Sequence, residues 1–71
     1  MISLKDLENL SKAEQVADLL AQDLRAVSSS ESALLADAAL DLLARAGDLQ
    51  RAIKRLRLAA ESDAEERGNP D

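Results

Sequence analysis

The chain contains no cysteine, histidine, phenylalanine, tyrosine, tryptophan or threonine. Without cysteine or histidine there are no disulfides, no thiol chemistry, no zinc finger and no imidazole for acid–base work. Without aromatic rings there is no platform for stacking nucleic-acid bases and no cage for a methylated lysine. Glycine occurs only at 47 and 68 and proline only at 70. The aliphatic β-branched residues are four: Ile2, Val16, Val27 and Ile53. No segment alternates apolar and polar residues as a half-buried strand does. Nor does any run approach the roughly 18 apolar residues that a membrane span needs. The opening Met1-Ile2-Ser3-Leu4-Lys5-Asp6 lacks the apolar stretch of a secretory signal. These absences lead us to expect a soluble, cytoplasmic protein that makes no use of a membrane.

What remains is narrow. Leucine and alanine account for 14 residues each among 71, and glutamate, glutamine, lysine and arginine fill much of the rest. All are strong helix formers, so the expected fold class is all-α. A chain this short makes one small domain. A single core below about 70–80 residues seldom contributes more than about 3–5 kcal/mol, and alanine side chains bury little area. With no disulfide or metal to staple it, the expected supplement is self-association, as a homo-oligomer such as a dimer, or binding to a partner, although a stable monomer stays open.

The apolar spacing divides the chain into three main helices, about 4–27, 31–46 and 49–61, forming a small bundle. In the first, Ala13, Ala17, Leu20, Leu24 and Val27 recur at heptad-like intervals. Ser11 and Glu14 read as a capping box that kinks this helix or starts a new one. Ser28-Ser29-Ser30 is the first breaker, with Ser28 and Glu31 as a second box or Ser30 as a rival cap. In the second helix an apolar arc is made by Leu35, Ala36, Ala39, Leu40, Leu42, Leu43 and Ala46. Gly47 is expected to end it, with Asp48 capping the third. So short a junction implies an antiparallel C-terminal hairpin packed on the N-terminal helix. In the third helix the stripe is Leu49, Ala52, Ile53, Leu56, Ala59 and Ala60, and Leu58 lies nearly opposite it. Residues 62–71, acidic and closed by Gly68, Asn69 and Pro70, read as a disordered tail.

The net charge is −5, and it is unevenly spread. Residues 1–48 carry four basic against nine acidic groups, and residues 61–71 one against five. Between them Arg51, Lys54, Arg55 and Arg57 stand without an acid. Catalysis is poorly supplied. No histidine can activate a serine, and the adjacent Ser11-Lys12 reads as a helix cap rather than a nucleophile and its base. The pairs Asp37/Asp41 and Glu14/Asp18 each share a helix face. They lack the companions that would make them a magnesium or acid–base site, so we expect no metal, no cofactor and no enzyme.

The segment from Ala33 to Ala64 resembles a single tetratricopeptide repeat, a helix–turn–helix unit of about 34 residues. Gly47-Asp48-Leu49 matches that family's inter-helix turn. Ala52 and Ala59 fall at its small crossing positions, Leu56 at the large apolar position between them, and Leu43 where a tyrosine is usual. Ala36, Ala39, Leu40 and Ala64 depart from the pattern, and no second copy precedes it. The resemblance implies a partner-binding face at Leu34, Asp37, Asp41, Ala44 and Arg45. Helical geometry independently turns Leu34, Asp37, Asp41 and Arg45 away from the apolar arc. A second candidate face is Leu58 within its basic rim of Arg51, Lys54 and Arg55, a leucine anchor among charges. The expected function is therefore non-enzymatic protein–protein interaction, as an adaptor, docking module or chaperone-like subunit that binds another protein or peptide. The alternative is a small dimeric regulator or antitoxin that lays the basic last helix on DNA or on an acidic protein. Net acidity and the lack of a base-reading asparagine weigh against nucleic acid as the partner.

Overall fold

The computed structural model describes residues 2–68, and side chains through residue 64. Its architecture is all-α: two helices, α1 (Leu4–Ser28) and α2 (Ala33–Gly68), packed against each other, with no strand among the described residues. Ser3 caps α1. Its hydroxyl accepts from the Asp6 amide at 3.1 Å while the Asp6 carboxylate accepts from the Ser3 amide at 2.9 Å. This reciprocal box supplies the helix start, so Ser11 and Glu14 are left as ordinary members of an unbroken α1. At the other end the Ser28 hydroxyl donates back to the Arg25 carbonyl at 2.6 Å. The Ser32 hydroxyl, not that of Ser28 or Ser30, accepts from the Leu35 amide and opens α2.

The expected three-helix bundle is corrected to a two-helix hairpin. α2 runs through Gly47 and Asp48 without a break, and no described glycine has positive φ. An internal glycine costs a helix about 1 kcal/mol relative to alanine. That is little beside the cooperative gain of keeping both flanking segments on one axis and in contact with α1. The same continuity carries α2 through residues 62–68, expected as tail; residues 69–71 lie outside the described residues.

The two helices meet along a 3,4-spaced line on each. On α1 it is Leu7, Leu10, Glu14, Ala17, Ala21, Leu24 and Ser28; on α2 it is Ala36, Ala39, Leu43, Ala46, Gln50, Ile53, Arg57, Ala60 and Ala64. All are buried or half-buried. Alternating steps of three and four keep one seam facing a partner helix, as in a coiled coil. Among the described residues the buried hydrophobic side chains are those of Ala17, Ala21, Ala39, Ala46 and Ala60. An alanine seam lets the axes approach closely but removes little apolar surface from water. The result is a rod of 59 × 16 × 13 Å with a radius of gyration of 16.4 Å, where a compact chain of this length would have about 11 Å.

Candidate protein interface

The hairpin has two unlike edges. Residues one step after an inner position and those one step before it fall on opposite flanks of the seam. On one flank of α2 stand Leu40, Gly47, Lys54 and Glu61; on the other stand Leu35, Leu42, Leu49 and Leu56, a leucine every seventh residue for four repeats. Because the helices are antiparallel, α1 presents Ala13, Leu20 and Val27 to the same side as these leucines. A groove there is lined by Leu20 and Leu24 from α1 and by Leu42, Arg45, Ala46 and Leu49 from α2. Leu20, Val27, Leu35, Leu42, Leu49 and Leu56 are all exposed, each with at least 41% of its surface open to solvent.

The opposite edge is polar. Glu14, Asp18, Gly47, Gln50, Arg51 and Lys54 line its groove. The Gln50 amide donates to Asp18 at 2.8 Å across the helices. Farther from the loop, the Arg57 guanidinium donates to Glu14 of α1 and, at 2.9 Å, to Glu61 one turn on. Arg57 and Glu14 keep only 21% and 20% of their side chains in solvent. Hydrogen bonds from Arg57 to Glu14 and then to Glu61 hold the guanidinium protonated more firmly than usual. These pairs fix the register: a slide of one helix turn would separate Arg57 from Glu14 and leave the half-buried Glu14 carboxylate without its cation, while Arg57 kept Glu61.

The residues expected to bind partners are dispersed. Leu34 at the start of α2 is 81% exposed, with Leu4 among the most open large hydrophobic residues described. Asp41 and Arg45 pair with each other at 3.1 Å on the open surface, a contact of small energetic weight. Asp37 is exposed on the same helix; only Arg45 of this group lines the leucine groove. Arg51 bonds Asp48, Lys54 borders the polar groove, and Arg55 and Leu58 lie exposed outside the inner line. With Arg57 turned toward α1, the four cations do not form one free basic face. Sequence reading missed the leucine edge as a unit, although the seven-residue interval was present to be read. Dividing α2 at Gly47 had assigned Leu35 and Leu42 to one helix core and Leu49 and Leu56 to another.

No family model matches this chain, and neither a curated protein nor a solved structure matches it. Among the described residues no group of three or more carboxylates gathers as a metal site, and no helix is long and apolar enough to cross a membrane.

Proposed function

We propose that this protein is a non-enzymatic interaction module of the cytoplasm, an adaptor, docking or chaperone-like subunit, that works through its helical faces and in oligomeric form. The observation that carries this reading is the leucine edge. Among the described residues twelve large hydrophobic side chains are exposed on the hairpin, and six of them lie on one side around a groove. Scattered exposed leucines are ordinary, whereas a continuous apolar strip along a rod marks a surface used for contact. The tetratricopeptide resemblance would direct a peptide to Leu34, Asp37, Asp41 and Arg45, but that family's groove depends on the turn that α2 runs straight through. The regulator reading is weakened by the acidic partners of Arg51 and Arg57 and the acidic neighbours of Lys54.

The test is affinity capture with the full chain from the cells that make it, beside a Leu42→Glu/Leu49→Glu variant and an Arg51→Glu/Lys54→Glu/Arg55→Glu variant. Partners lost in the first variant and kept in the second support the leucine edge. Loss confined to the second, with retention of DNA by the unaltered chain, would transfer the argument to the basic residues.

A further inference from the structure

Granting that the protein is an interaction module, we infer that the occupant of its leucine edge is a second copy of the same chain, the two hairpins packing edge to edge as a four-helix bundle. Each helix carries two overlapping heptad lines. One is the alanine-rich seam already filled within the hairpin. The other lies about 60° round the axis and is formed on α2 by the four edge leucines alternating with Ala39, Ala46, Ile53 and Ala60. A helix with two adjacent seams is built to touch two neighbours, and the hairpin supplies one.

The surface area points the same way. The chain exposes 5393 Å², where a self-sufficient folded chain of 7.6 kDa would expose about 4,300 Å². The excess, about 1,100 Å² per copy summed over the whole rod, doubles to the lower end of the area that permanent homodimers bury. Charge permits identical copies to meet here. The chain as a whole carries −5 and would repel itself across an acidic face, yet the leucines of α2 and Ala13, Leu20 and Val27 of α1 are uncharged. The groove's one ionic residue, Arg45, is already paired with Asp41, so the edge sets no unpartnered charge against a facing copy.

Sedimentation equilibrium of the full chain at tens of micromolar tests this. We expect a mass near twice 7.6 kDa. Leu42→Glu/Leu49→Glu should give monomer. Because that variant can lose its fold, Leu42→Ala/Leu49→Ala is the companion: alanine is the best helix former, so helicity at high concentration should persist while the dimer dissociation constant rises at least about 100-fold. Leu34→Ala/Leu58→Ala, off the edge, should leave it unchanged. A wild-type monomer throughout this range overturns self-pairing. So does a dimer indifferent to Leu42→Ala/Leu49→Ala or dispersed by Leu34→Ala/Leu58→Ala. A wild-type monomer whose captured partners still depend on Leu42 and Leu49 sinks self-pairing and the oligomeric form with it, and leaves the partner-binding reading in place.

Discussion

Gly47 is half-buried on the polar flank of a helix interior, and a Cβ built on it would meet the Arg51 guanidinium at 3.5 Å, an ordinary contact distance. Its φ is not positive, so the residue uses none of the conformational freedom that distinguishes glycine. Gly47→Ala should therefore stabilise the protein by about 0.5–1 kcal/mol, raising the melting temperature by a few degrees. Thermal denaturation followed by circular dichroism checks it. Had Gly47 ended a helix in the left-handed conformation, the same change would strain the backbone and lower the melting temperature. Sequence alone supports that other outcome, because Gly-Asp between two apolar stripes is a strong turn signal. The turn is overridden by the partners of the flanking turns: Ala46 and Ile53 both face α1, and a reversal between them would withdraw one.

For the elements, the consequence is continuity. Inner residues on α2 keep their three-four spacing from Ala36 to Ala64, straight across the expected junction. That rhythm was legible in the sequence, but its polar members disguised it: Gln50 and Arg57 occupy inner positions because Asp18 and Glu14 meet them from α1, and nothing local announces a partner 32 or 43 residues away. Asp48→Pro separates the two architectures. A capping position tolerates proline, whereas a helix interior loses a backbone bond and gains a clash worth about 3 kcal/mol or more. In a continuous α2 the change should collapse the unfolding transition, read as lost ellipticity at 222 nm and a lower urea midpoint. A variant as stable as the parent would restore the junction.

Taken whole, the hairpin is a rod two helices thick whose apolar stripes are only half covered. Each stripe read from the sequence straddles the inner line and the leucine edge: Ala17 and Leu24 turn inward where Ala13, Leu20 and Val27 do not, and Ile53 and Ala60 turn inward where Leu49 and Leu56 do not. Lateral pairing through that edge thickens the rod without lengthening it. Small-angle scattering of the dimer should thus show a longest dimension still near 59 Å. The radius of gyration should rise only to about 17 Å, since packed helix layers are about 10 Å apart. A longest dimension approaching twice that of the single hairpin would mean end-to-end association and a different contact surface.

By itself the sequence determined the helical class, the placement of the serine break and the amphipathic character of every helical stretch, because propensity, capping chemistry and apolar period act over a few residues. Only the tertiary structure decided that two helices rather than three are made. It also decided that the close contact is alanine on alanine with a Glu14–Arg57 pair setting its register, and that the leucines are left outside. Those outcomes depend on which face of each helix meets which face of the other, and that choice is made by packing between residues far apart in the chain.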